Sequence, residues 1–316
     1  MSAQVQAPSQ RRNTVLASAN LLLIVVFWGS MVPFTAVLLE TFDPYLLAAL
    51  RYAMGLPLLW LLVLLRRERG DWRLARPGRL AALGAAMAGF SVLYTVGIQF
   101  SHPVTASVIL TCGPIVASLM ARVMYRMPLD RALWLALPVS VGGAILVALG
   151  APGRSLSHAG FGGGEILLVI AQVCWNWYSM KAQQWLSGMG QFRLSGVTVA
   201  VGSLWLVALY LTLWALGIAA PPPSSIGPTA IFMLLWIAIT GVAMAILLWN
   251  TATSLIGVPL ASLYLNLQPF VAAVTAAILG SPPTVLQLLG GAIVLAGILY
   301  VQLSKMKLLR RGGRDG

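Results

Sequence analysis

The 316 residues are 59% hydrophobic and 9% charged, with a mean hydropathy of +0.89, whereas a soluble domain carries about 25% charged residues. That excludes a soluble globular fold, and the length left beside the apolar stretches excludes a sizeable soluble domain. The net charge of +13 would suit nucleic acid, but the cationic residues fall where membrane topology puts them, so no nucleic-acid partner is expected.

A bilayer core about 30 Å thick takes about 20 apolar residues per helix, and the chain supplies ten such stretches. In order they are 17–39, 44–65, 80–100, 104–124 and 132–149, then 164–186, 194–216, 229–251, 259–279 and 285–303. Each is bounded by charge, proline or glycine. The tight joins at Ser101-His102-Pro103 and Gly257-Val258-Pro259 rest on the prolines, which disfavour helix at the residue before them. The expected fold is all-α, a polytopic membrane protein of ten transmembrane helices. Its expected segments are a cytoplasmic N-terminal stretch 1–16, a five-helix repeat 17–150, an extracytoplasmic connector 151–163, a second five-helix repeat 164–304 and a basic cytoplasmic tail 305–316. The apolar run from residue 17 exceeds the about 7–15 residues of a signal-peptide core and is expected to remain as the first helix.

With the N-terminus inside, Arg11, Arg12, the 66–79 and 122–131 connections, Lys181, Arg193 and the tail are cytoplasmic, and Arg154 lies outside. This positive-inside bias places both termini in the cytoplasm and makes anionic lipid headgroups the partners of the basic loops. Cys112 and Cys174 lie deep in spans, so neither a disulfide framework nor a metal site is indicated, and no cofactor is expected. Enzyme chemistry finds no support: there is no H-E-x-x-H, no G-x-S-x-G and no phosphate-binding loop. His102 and His158 sit in or beside outer loops.

Helices four and five align with nine and ten at a constant offset of 155 residues, matching Ser107 with Ser262, Pro114 with Pro269, Pro128 with Pro283 and Gly142 with Gly297. The same offset sets Tyr94 against Trp249, and a different one pairs Trp28 with Trp175. Because five is odd, a half that starts inside ends outside, so its copy runs inverted. Inverted halves related by an axis in the membrane plane give a direct route to alternating access.

Phe27-Trp28-Gly29-Ser30, Leu50-Arg51-Tyr52-Ala53, the Ala-Ser…Pro pattern of helices four and nine and the link 280–290 resemble, in order and spacing, the ten-helix EamA-type carriers of the drug/metabolite transporter superfamily. Within it the chain is most similar to YddG-type amino acid exporters, on its length, the Trp-Gly-Ser motif and a Ser-Pro-Pro link lacking the acidic residue often found there. The resemblance implies a protein of the bacterial inner membrane that exports amino acids, aromatic and small neutral ones included. Export of other metabolites or drugs in the same fold, and a channel-like pore, stay open as alternatives.

Polar and aromatic residues at mid-span are the best pointers to a cavity, since an unpaired polar group in hydrocarbon costs several kcal/mol. Ser262, Asn266 and Pro269 share one helix face, as do Ser107, Thr111 and Pro114. Asn266 and Thr111 are candidates to hydrogen-bond the amino or carboxylate group of a solute; interhelical bonding is the structural alternative, above all for the serines. Trp28, Trp175, Asn176, Tyr94, Trp249, Asn250, Tyr264 and Gln268 complete an aromatic and amide wall suited to an amphipathic solute. For Tyr94 and Trp249 the rival is anchoring at the headgroup belt, and for Trp28 and Trp175 it is core packing. Arg51, the one cation well inside a span, either binds a substrate carboxylate or turns outward to Asp43 or Glu40. No Asp or Glu lies at mid-span, Glu40 and Glu165 being near outer ends, so the expected mode is facilitated diffusion or exchange rather than proton coupling.

Overall fold

The computed structural model describes residues 8–66, 75–101, 103–110, 112–126, 138–139, 142–143, 146, 163–262 and 264–312. Every regular element among them is helical: α1 (Pro8–Leu38), α2 (Pro44–Arg66), α3 (Pro77–Gln99), α4 (Pro103–Leu110), α5 (Gly113–Tyr125), α6 (Gly164–Trp185) and α7 (Gln191–Ala215). There follow α8 (Pro228–Trp236), a π-helical stretch (Ile237–Met244), α9 (Ala245–Ile256), α10 (Val258–Ala261), a 3₁₀ turn (Tyr264–Leu267), α11 (Gln268–Ile278) and α12 (Val285–Gly312). Most of the expected fifth span, 132–149, and of the connector, 151–163, lies outside the described residues. The last helix continues past residue 304 to Gly312, and the first begins at Pro8, ahead of its expected start.

Six stretches among the described residues are long and apolar enough to cross a membrane: Val15–Leu38, Pro44–Arg66, Pro77–Gln99, Thr105–Tyr125, Gln191–Ala215 and Pro228–Ile256. The 22 residues of α6 would also reach across. It is absent from those six because its buried face carries Gln172, Asn176 and Ser179 beside Trp175 and Tyr178. A helix with a polar inward face belongs inside a bundle rather than against lipid.

Two of the expected spans are broken, and at matching places. The fourth is interrupted between α4 and α5 around Cys112, whose N–H bonds back to the Ile109 carbonyl at 3.0 Å. The ninth is interrupted between α10 and α11, where the Leu265 N–H reaches the Ser262 carbonyl at 3.2 Å. Both breaks precede a proline in the first turn of the next helix, Pro114 and Pro269, which has no N–H to continue the ladder. The local cause is thus duplicated at the 155-residue offset.

Small residues let the helices close on these breaks. A Cβ on Gly29 would stand 2.7 Å from Val271 Cβ and 3.0 Å from the Gln268 carbonyl, so α1 touches the start of α11 through bare backbone. Gly97 and Gly164 bring α3 and α6 into similar contact, a Cβ on Gly97 meeting the Gly164 carbonyl at 3.0 Å.

Candidate functional site

Three tryptophans from three helices meet where α1, α6 and α9 converge. Trp28 and Trp175 are edge-to-face with ring centroids 5.2 Å apart, Trp28 and Trp249 are at 5.6 Å, and Trp175 and Trp249 at 5.9 Å. Phe90 and Tyr178 extend the cluster, 5.1 and 5.3 Å from Trp175, and Tyr94 lies 5.5 Å from Phe90. Contacts of this kind favour a fixed geometry, each adding about 0.5–1.5 kcal/mol beyond its buried area.

The three indole N–H groups have different fates. Trp28 Nε1 donates to the Gly241 carbonyl at 2.8 Å, inside the π-helical stretch. Trp249 Nε1 donates to Ser179 Oγ at 2.9 Å. Trp175 Nε1 is buried and has no partner. Both amide atoms of Asn266 are in the same condition. Buried polar groups are nearly always paired, so these atoms stand out as lacking a partner among the described residues.

Beside the tryptophans lies a cavity of about 30 Å³, walled by Trp28, Phe90, Tyr94, Gln172, Trp175 and Gln268 together with Leu110 and Leu265. Those two leucines correspond at the 155-residue offset and sit at the two helix breaks, so the cavity is located between the interruptions. A second cavity of about 10 Å³ touches Arg51, Tyr52 and Gly241, and Trp28, Phe90, Trp175 and Met31 border both. The larger one is roomy enough for a water molecule, which needs about 10–15 Å³. It falls far below the about 300 Å³ at which small-molecule pockets begin, so it is too small to take a solute as it stands.

The residues singled out in the sequence divide accordingly. Trp28, Trp175, Tyr94 and Gln268 line the larger cavity and Arg51 the smaller. Trp249 is wholly buried and Tyr94 is 1% exposed, inside the bundle rather than at a headgroup belt. Asn176 donates to the Gln172 carbonyl at 2.9 Å, within its own helix. Asn250 is committed between helices, its Nδ2 donating to Tyr178 Oη at 3.0 Å and to Ser195 Oγ at 2.9 Å. Tyr264 is bonded to Ser18 Oγ at 2.7 Å. Ser107 and Ser262 are buried, and Thr111 lies outside the described residues.

Arg51 does not turn outward. It is 1% exposed, and Asp43 is engaged elsewhere, accepting from the Tyr45 and Leu46 N–H groups at the start of α2 and from the Ala220 N–H. Glu40 is exposed.

Gln172, Phe90 and Met31 escaped the sequence reading. Signals existed for two: Gln172 is three residues before Trp175 and four before Asn176, and Phe90 is four before Tyr94, so each shares a helix face with a residue that had been noticed. Among the described residues no group of three His, Cys, Asp or Glu gathers to hold a metal. Aromatic faces and amide groups gathered in this way can bind a small amphipathic solute.

Comparison with known proteins gives the family of the chain. The chain is 24% identical to the uncharacterized transporter YdfC of Bacillus subtilis (strain 168) over 299 residues, covering 94% of each protein. It is 24% identical over 212 residues to the uncharacterized transporter YyaM of the same organism, covering 67% of this chain and 68% of the relative. An uncharacterized transporter of Archaeoglobus fulgidus is 23% identical over 287 residues, 88% of this chain and 94% of that protein. A solved crystal structure superposes with a TM-score of 0.66 at 16% identity, over 94% of this chain and 99% of the other, so the two share a fold. The sequence model of the EamA-like transporter family matches residues 16–149 and again 162–303. The protein is a multi-pass membrane transporter, and it belongs to the EamA-like transporter family.

Proposed function

We propose that the protein exports amino acids, aromatic and small neutral ones, across the bacterial inner membrane by alternating access between two inverted five-helix halves. The observation that carries this is the narrow aromatic cavity between the two proline-based helix breaks, with Trp175 Nε1 and the Asn266 amide buried and without a partner among the described residues. Broken helices at corresponding positions of two repeats are where transporters of this architecture hold their cargo. The family match in two separate segments supports the division into halves 17–150 and 164–304.

In this reading the termini and basic loops face the cytoplasm and its anionic lipid headgroups. The apolar body of the solute takes the space between Trp28, Trp175 and Trp249, and its polar groups meet Gln268 and Asn266. Separation of Trp28 from Trp175, one from each half, opens the site. No carboxylate among the described residues faces the larger cavity, which supports a facilitator or exchanger over a proton-coupled pump.

The test is efflux of radiolabelled L-phenylalanine and L-alanine from proteoliposomes carrying the purified protein, with and without an imposed pH gradient. Saturable efflux that the gradient leaves unchanged is expected. Efflux no faster than from protein-free liposomes overturns the cargo assignment, and strict dependence on the gradient overturns the facilitator mode.

A further inference from the structure

Arg51 is a buried charge that meets no opposite charge among the described residues. A guanidinium stays protonated under all ordinary conditions, so it cannot escape burial by losing its charge. Its Nη2 donates to Ser91 Oγ at 2.7 Å, its Nη1 faces the Met31 sulfur at 3.8 Å, and its plane lies 4.8 Å from the centre of the Tyr94 ring. Its Nε is buried with no partner. Serine, thioether and aromatic face are all neutral groups. Among the described residues no carboxylate meets Arg51: Asp43 caps α2, Glu40 is exposed, and Glu165 is near Ser101, 3.4 Å from its hydroxyl. The remaining acids, Glu68, Asp71, Asp130 and Asp315, lie outside the described residues.

Arg51 borders the smaller cavity, together with Trp28, Trp175 and Phe90. A buried, uncompensated, donor-rich cation beside an aromatic wall is complementary to one kind of molecule: an apolar body carrying a carboxylate. Ser91 holds Nη2 through its hydroxyl and, at 3.4 Å, its carbonyl, while the weak sulfur acceptor on Nη1 and the unpartnered Nε leave donor capacity that a carboxylate oxygen pair would take up.

We infer that Arg51 is the carboxylate site of this transporter and restricts its cargo to solutes bearing a carboxylate, whether zwitterions or anions, while rejecting amines that lack one. This rests on the transport reading for the identity of the cavity and goes further in assigning the charge class of the cargo and the residue that selects it. Ser91 is a positioning residue, orienting the guanidinium rather than touching the solute.

The experiment measures the melting temperature of the purified full-length protein with three indole probes: L-tryptophan, indole-3-propionate and tryptamine. The first two are expected to raise it and tryptamine to leave it unchanged. Arg51→Gln is expected to abolish the shift, Arg51→Lys to keep part of it, and Ser91→Ala to weaken it at unchanged charge, which covers the case that Arg51→Gln does not fold. Stabilisation by tryptamine equal to that by L-tryptophan overturns the inference. So does a carboxylate-dependent shift that survives in both Arg51→Gln and Ser91→Ala, or no shift with either carboxylate probe. A carboxylate-dependent shift without flux in proteoliposomes would sink the transport reading and leave the anion site standing; flux that accepts tryptamine as readily as L-tryptophan would do the reverse.

Discussion

Gln172 of α6 donates its side-chain amide to the backbone carbonyl of Leu110 at the end of α4, at 3.0 Å. That carbonyl is the one an N–H at position 114 would take in a continuous helix, and position 114 is proline. One side chain therefore closes the gap that the proline opens, and joins the broken helix to the polar face of α6. Replacing Gln172 by Leu keeps a similar volume but strands the carbonyl. Loss of a partner to a buried acceptor costs about 1–3 kcal/mol, so Gln172→Leu lowers the melting temperature of the purified protein. An unchanged melting temperature would show that the break needs no such support.

The three tryptophans give a sharper contrast. Phenylalanine keeps an aromatic ring at each site but removes the indole N–H. Trp28→Phe and Trp249→Phe each lose a hydrogen bond, to Gly241 and Ser179, and are destabilised by about 0.5–1.5 kcal/mol in thermal or denaturant unfolding. Trp175→Phe loses none, because its Nε1 has no partner. Its stability stays near wild type while its amino acid flux falls. Equal destabilisation of all three would mean that packing volume, not hydrogen bonding, sets the cluster.

Asn266 and Asn250 are both buried amides with opposite predictions. Asn250 links Tyr178 and Ser195 across helices, so Asn250→Leu breaks a network and destabilises. Asn266 spends its amide on no protein partner, so Asn266→Leu is neutral or stabilising in the same unfolding assay yet lowers flux. Wild-type flux in Asn266→Leu removes it from the site.

Gly29 fixes how closely α1 approaches α11. Alanine there drives its methyl into Val271 and the Gln268 carbonyl, an overpacking of about 1–3 kcal/mol. Gly29→Ala is expected to melt earlier and to lose flux, whereas Gly78→Ala, where nothing lies within 4 Å, does neither.

Much of this is legible in the sequence, for identifiable reasons. Apolar spans act locally, so the helices follow from hydropathy; the two breaks fall inside spans read as continuous, although their local cause, a missing N–H at Pro114 and Pro269, stands in the sequence. Trp28 and Trp175 stand out because indoles at mid-span are uncommon. What escapes is whatever depends on direction: Asn250 and Asn266 are the same residue type at similar depth, and only packing shows that one is engaged and the other is not. Arg51 is ambiguous for the same reason, since its long side chain reaches either the rim or the interior. Gln172 is partnered by a backbone atom exposed by a proline in another helix, a relation between distant segments that periodicity does not express.

The central claim, a cargo site that opens alternately to the two sides, is tested most directly by counterflow. Proteoliposomes preloaded with unlabelled L-tryptophan should take up labelled L-tryptophan transiently above equilibrium, faster than empty ones, and Trp175→Ala should lose that overshoot. Uptake that rises linearly with concentration and is indifferent to the internal amino acid would contradict the account.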